Sequence, residues 1–453
     1  MEKNTHLQLE QDDKKYIWHP FTQMLDYEKE KPLIIEKGKG SYLWDIYGNK
    51  YIDGISSLWV TTHGHGRQEI NEAIAAQAAL VSHSTLLGLS HPGAIELAKR
   101  LVEITPAGLN KVFYSESGST AVEIALKIAF QYWRQSCENS SKQKFISLGN
   151  AYHGDTIGSV SVGGIDLFHE IYHPLLFDVY KAAAVDCYRC VYCKTWPGCG
   201  LECLEQLEKT VKEHYKETAA LIVEPIVQGA AGILVSPPGY LKRVRELCTE
   251  YNILMIADEV ATGFGRTGKM FACNHEDVHP DIITLGKGLT GGYLPLAVTM
   301  TTDKIYNAFL GKVDEFKTFF HGHTYTGNPL ACAAALANLD IFEQDRTLEK
   351  LQEKIAALKA GLKRFAQLSH VGDIRQFGFM VGIELVADKK AKKPFPAGAK
   401  TGAGVIREAR KRGLIIRPLG DVIVLMPILT ISPAELDELL EITFESIKNV
   451  TGE

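Results

Sequence analysis

Nowhere in the 453 residues is there an apolar run long enough to cross a bilayer, which takes about 20 consecutive apolar residues. The polar start, MEKNTHLQLEQDDKK, holds no apolar core of signal-peptide length, so a cytoplasmic address and no membrane partner are expected. A basic excess is missing too. Lys and Arg number 49 against 54 Asp and Glu, a net charge of −5, which excludes the basic footprint of a nucleic-acid-binding surface. No internal repeat or low-complexity linker is present, which excludes solenoids and arrays. What remains is an ordinary globular composition, 45% apolar and 23% charged, with room for roughly two or three domains around a large buried core.

Along the chain, residues 1–15 read as disordered or loosely attached. Trp18 to about Asp53 mixes turn residues with short apolar runs (PLIIEKG, SYLWDIYG) that suggest small antiparallel strands. From about Gln68, helical stretches alternate with the β-rich runs KVFYS, KFISL, AALIVEP, ILMIADE, DIITLG and PLAVTMTT. Such alternation indicates an α/β domain, a mostly parallel sheet covered by helices on both faces. After Asn328 a long helix (PLACAAALANLDIFEQ) leads into a smaller α+β region with strands in DIRQFGFMVGIELV, LIIRP and VIVLMP. The expected division is an N-terminal segment, 1–67, contributing to a small domain, a large α/β domain, 68–328, and a C-terminal small domain, 329–453.

Cysteine is unevenly spread. Five of the nine fall in DCYRCVYCKTWPGCGLEC, at Cys187, Cys190, Cys193, Cys199 and Cys203. Cytosolic disulfides are rare, and this spacing is compatible with thiolate ligation of structural zinc or an iron–sulfur cluster, or else with a loop of free thiols. The other four, Cys137, Cys248, Cys273 and Cys332, read as small buried hydrophobes.

The chemistry concentrates at the ends of two successive apolar runs. ILMIADEVATGFGRTGK and DIITLGKGLTGG bring Asp258 and Lys287 to one edge of the sheet. An acid and a lysine so delivered are what pyridoxal 5'-phosphate requires: an amine to condense with its aldehyde, and a carboxylate to keep its ring nitrogen protonated so that the ring is an electron sink. In KVFYSESGSTAVEIALKIAF a strand runs through a Ser/Gly turn into a helix, with Thr120 and Glu123 as a capping box. Gly118 and Ser119 then stand at a helix N-terminus, where free N–H groups favour a phosphate. Tyr152, His153, Gly154 and Asp155 follow another strand, and the tyrosine suits stacking on a flat ring.

Together DEVATGFGRTGK, LGKGLTGGYLPLA, SESGSTAVEIALK, AYHGDT, IVEPIVQGAAG and HGHTYTGNPLACAAAL resemble the class III aminotransferases, in matching order from about Tyr16 to the C-terminus. The resemblance implies fold type I of the pyridoxal-phosphate-dependent transferases and a ping-pong amino exchange. It implies that Lys287 holds the cofactor aldehyde and moves the substrate proton, and that Asp258 holds the ring nitrogen. By the same likeness Gly118 and Ser119 bind the phosphate, Tyr152 stacks on the ring, and Glu224 and Gln228 line the cofactor. Gly322, His323 and Thr324 belong to the HGHT segment, whose threonine reaches the phosphate of a neighbouring subunit, so a homodimer with shared sites is implied. WHPFTQM, DGISSLWV and IRPLGDVIVLMP further resemble the members of that family that form 7,8-diaminopelargonate in biotin biosynthesis. Those imply 8-amino-7-oxononanoate (KAPA) as amino acceptor and S-adenosylmethionine, or lysine, as donor. Arg417 then grips the substrate carboxylate, Phe21 and Trp59 form the slot for its alkyl chain, and Arg266 lies near the substrate path. Three residues depart from the pattern: Phe21 for a usual tyrosine, Leu58 for one of a tryptophan pair, and His323 for a proline. The competing readings are another class III diamine or ω-amino acid transaminase, and a metal-binding or redox-responsive protein on a transaminase scaffold.

Overall fold

The computed structural model describes residues 3–136 and 140–453. At its centre is a seven-stranded sheet in the spatial order Leu109–Ser115, Ala297–Thr302, Ile282–Leu285, Leu254–Asp258, Thr218–Val223, Lys144–Leu148 and Tyr180–Ala182. Only Ala297–Thr302 runs against the rest, so the chain has the expected α/β class with a mostly parallel sheet. The strands read as unbroken apolar runs because both faces are covered. Met255 and Ala257 point into one core with Leu221 and Val223. Leu254 and Ile256 point into the opposite core with Ala220 and Ile222, against Ile124, Ile128 and Trp133 of the helix Gly118–Ser136.

Both chain ends build the remaining sheets. Ile35–Lys39, Tyr42–Asp45 and Lys50–Asp53 form an antiparallel meander completed by Leu414–Ile415, which lies parallel to Lys50–Asp53. A second four-stranded sheet has the order Val371–Phe377, Met380–Leu385, Val422–Leu425 and Arg417–Leu419. The run DIRQFGFMVGIELV is therefore two strands and not one. Gly378 takes a φ of +58°, a left-handed conformation that glycine reaches without steric penalty, and the chain folds back there.

Two expectations are corrected at helix starts. Residues 3–16 form a helix, Lys3–Tyr16, and side chains tie it down: the Tyr27 hydroxyl donates to Asp13 at 2.6 Å and Lys14 to the Glu28 carbonyl at 2.7 Å. The capping box is not at Thr120. Thr120 N–H donates to the Ser117 hydroxyl (3.3 Å), one turn earlier, while Glu123 accepts the Gly158 N–H (2.6 Å) and ties the helix to the next segment. Among the described residues no helix is long and apolar enough to cross a membrane.

Cys248, Cys273 and Cys332 are buried in the cores, as read, and Cys137 lies outside the described residues. In the cysteine-rich excursion four thiols, Cys187, Cys190, Cys199 and Cys203, line one small cavity of about 20 Å³, and Cys193 is exposed. The metal expectation for the five is corrected. No group of three or more His, Cys, Asp and Glu among the described residues is arranged to hold a metal ion. Burial pushes the Cys187 thiol up to about 11 and the Cys203 thiol upward.

Candidate active site

At the carboxyl ends of the parallel strands, where open α/β sheets take their ligands, lies a cavity of about 140 Å³. Its walls include Trp59, Gly118, Ser119, Tyr152, Glu224, Asp258 and Lys287. Seven residues from six separate segments thus meet at one sheet edge.

Asp258 ends its strand and is 5% exposed. One carboxylate oxygen accepts from the Thr284 hydroxyl (3.0 Å) and Val260 N–H (3.2 Å), and the other faces His153 Nδ1 at 2.7 Å. The parallel register sets Asp258 directly beside Thr284. Neither Thr284 nor the His153 contact was singled out from sequence. The signal for the threonine was there, as the one polar residue in the strand Ile282–Leu285. His153 is 105 positions away and left no such trace.

Lys287 follows the neighbouring strand and is partly covered. Its φ of +43° is rare for a non-glycine residue, and such strain gathers at functional sites. Trp59 shares it, with a φ of +65°, and the Lys287 ammonium stands 4.8 Å from the Trp59 ring, within cation–π range. Burial lowers the Lys287 amine from the ordinary lysine value, opposed by Asp258 and Glu224.

Gly118 opens the long helix below Val260. A Cβ there would lie 2.5 Å from a Val260 methyl, so the backbone amides of this turn come close to the cavity only because the residue has no side chain. Glu224 is buried, and its two oxygens accept the N–H groups of Tyr152 (3.0 Å) and Gly229 (2.8 Å). Burial pushes its carboxyl up to about 7, against the pull of His153 and the two N–H donors. The Tyr152 hydroxyl donates to Asp155 (2.8 Å), and burial together with that carboxylate raises its pKa.

Asp155 also lines a wider cavity of about 580 Å³ with Phe21, Phe168, His169 and Tyr172. Arg417 lies near one wall residue of each cavity, Tyr152 of the first and Phe21 of the second. Its guanidinium is 5.9 Å from the Phe21 ring, its charge acts on Tyr152, and no carboxylate among the described residues pairs with it. Five other sequence-predicted residues are not among those that line the first cavity. Gln228 reaches away to the Gly149 carbonyl at 3.0 Å. Arg266 is 1% exposed and donates to the carbonyls of Thr61 (2.9 Å) and Pro427 (2.7 Å), so it ties backbone together here. His323 pairs with Glu116 at 2.7 Å, while Gly322 and Thr324 are exposed.

The family model described as "Aminotransferase class-III" matches residues 25–447. An adenosylmethionine-8-amino-7-oxononanoate aminotransferase from Geobacter sulfurreducens is 54% identical over 441 residues, 97% of each chain. One of the same name from Aquifex aeolicus is 55% identical over 446 residues, 98% of each. The crystal structure of the Methanocaldococcus jannaschii protein of that name superposes with a TM-score of 0.94 at 49% identity, covering 99% of both chains.

Proposed function

The chain belongs to the class III aminotransferases, and from that premise we propose that it transfers an amino group to KAPA, forming 7,8-diaminononanoate for biotin biosynthesis. The donor is S-adenosylmethionine, with lysine the alternative. The observation that carries this reading is the meeting of Lys287, Asp258, Gly118, Ser119 and Tyr152 around one cavity.

Three features support a fit to pyridoxal phosphate. The N-terminus of a 19-residue helix offers N–H groups beside Gly118 for the phosphate. The Tyr152 ring forms a wall for a flat heterocycle, and Asp258 is a buried carboxylate suited to a protonated ring nitrogen. When bound, the cofactor supplies an electron sink and carries the amino group between the two substrates.

The chain's own groups do the rest. Lys287, its amine lowered by burial, gives and takes the substrate proton at Nζ, which works best for a base whose pKa lies near the operating pH. Thr284, Val260 N–H and His153 fix Asp258. Arg417 binds the substrate carboxylate through a planar, bidentate match, and Trp59 and Phe21 take the alkyl chain, at roughly 0.8 kcal/mol per buried methylene. Thr324 sits in a loop that exposes Phe316, Phe320 and Tyr325, at 73%, 75% and 60%. That apolar surface supports a homodimer in which this loop, with Gly322 and His323, reaches the partner's phosphate site.

The test is the absorption of bound cofactor after mixing with S-adenosylmethionine or with lysine, followed by KAPA. One donor alone should bleach the band, and KAPA should restore it. Bleaching by simple diamines alone would replace this reading with a general diamine or ω-amino acid transaminase. Arg417→Ala should raise the KM for KAPA by about 10- to 100-fold, the cost of one charge-assisted pair, and barely change the half-reaction of an uncharged amine. Equal losses with both would remove Arg417 as the carboxylate anchor.

A further inference from the structure

The cysteine-rich excursion has no place in the chemistry above, yet it is wired to the cavity. Arg189 leaves it and donates from Nε to Glu384 Oε1 at 2.6 Å and from Nη1 to the Lys392 carbonyl at 2.8 Å. Lys392 returns the contact, donating to the Tyr188 carbonyl at 2.6 Å. The other oxygen of Glu384 accepts from Arg375 Nη1 at 2.6 Å, and Arg375 Nε donates to the Gly232 carbonyl at 3.0 Å. Gly232 and Ile233 close a turn on the Gly229 carbonyl, at 3.2 and 3.0 Å. Gly229 N–H, at the head of that turn, is one of the two donors to the buried Glu224 carboxylate.

We propose that Arg189 is a positioning residue: through Glu384 and Arg375 it holds the 229–233 turn, and so the Gly229 N–H, against Glu224 in the active-site cavity. Arg375 and Glu384 are 9% and 10% exposed at their side chains, so the middle of the relay is shielded from water and from screening salt. Glu384 is shared between two arginines. Without Arg189 its carboxylate falls wholly to Arg375, which already serves Asp373 at 2.9 Å, and the guanidinium is drawn off the Gly232 carbonyl. The four thiols around their small cavity give the excursion a packed base from which Tyr188 and Arg189 project.

The consequence is a signed change in ionisation. The Gly229 N–H stabilises the charged form of Glu224, so weakening it moves that group to a higher pH. The charged or titratable groups that face Glu224 are His153, Asp258, Lys287 and Tyr152, and none of them belongs to the relay.

This inference rests on Glu224 lying beside bound cofactor. The experiment is a pH titration of the cofactor's absorption in wild-type holoenzyme and in Arg189→Gln, Arg189→Lys, Glu224→Gln and the Arg189→Gln/Glu224→Gln double variant, each checked for a cooperative thermal transition. In Arg189→Gln the inflection due to Glu224 should move up by about one pH unit, a tenfold change in its ionisation. Arg189→Lys, which keeps the charge beside Glu384, should move it less, and the double variant should match Glu224→Gln. If Glu224→Gln leaves the wild-type profile intact, Glu224 is not beside the cofactor and the site assignment fails. If that variant removes an inflection that neither Arg189 variant moves, the relay is refuted. Should Arg189→Gln not fold, Arg189→Lys decides alone.

Discussion

Replacement of Lys287 by alanine is expected to abolish amino transfer to KAPA, a loss of at least about 10⁴-fold, the upper range for a positioned proton-transfer group. The residue lies at the one place where two strand ends, the Gly118 turn and Trp59 converge. No other lysine is among the residues that form that wall, so no second amine is placed to take the proton. The fold should survive. The side chain ends in a cavity, so its loss opens space already present, and the melting temperature should move by the small amount typical of changes away from the core, within about 0.5 kcal/mol of stability. Cofactor should still bind through the Gly118 turn and Asp258, now without a covalent link. The check is single-turnover formation of 7,8-diaminononanoate followed by mass, beside the thermal transition of the same preparation. Small exogenous amines, entering the vacated space, should restore part of the rate. Turnover retained without them would overturn the assignment of Lys287.

How much of this was open to reading follows from distance along the chain. Strands buried on both faces announce themselves as apolar runs, and six of the seven in the central sheet stood out. Tyr180–Ala182 did not, because a three-residue edge strand carries no periodicity. Asp258 and Lys287 were legible because each terminates such a run. Their supports were not. His153 reaches Asp258, and Arg375 reaches Gly232, across 105 and 143 positions, and no local pattern encodes a contact of that span. The N-terminal helix was missed for the opposite reason. Its sequence is polar apart from Leu7, Leu9 and Tyr16, and the tethers that order it, Tyr27 and Glu28, lie in the next segment. Arg266 shows the limit of a motif: the FGRTG turn fixes where the arginine sits, and the carbonyls of Thr61 and Pro427, which occupy its guanidinium, come from opposite ends of the chain.

Asp258→Asn should be the second most damaging change, lowering kcat by about 10²- to 10³-fold, the cost of removing one preorganised electrostatic contact, with little change in KM. The substitution keeps the shape. An asparagine oxygen can still accept from Thr284 and Val260 N–H, so the strand end stays in register. What is lost is the charge. His153 faces the opposite oxygen at 2.7 Å, and in the variant it meets an amide N–H₂, which forces it to accept where the carboxylate had let it donate. The group that should hold a protonated ring nitrogen is then neutral, and carbanion stabilisation in either half of the exchange weakens. Because donor and acceptor use the same ring in turn, both half-reactions should slow together and by similar factors. His153→Asn, which leaves the Asp258 carboxylate in place and removes its ring partner, should give a smaller loss of the same kind. Rapid-mixing rates for each half-reaction measure this directly. A loss confined to one of them would show that Asp258 contacts a substrate and not the cofactor ring.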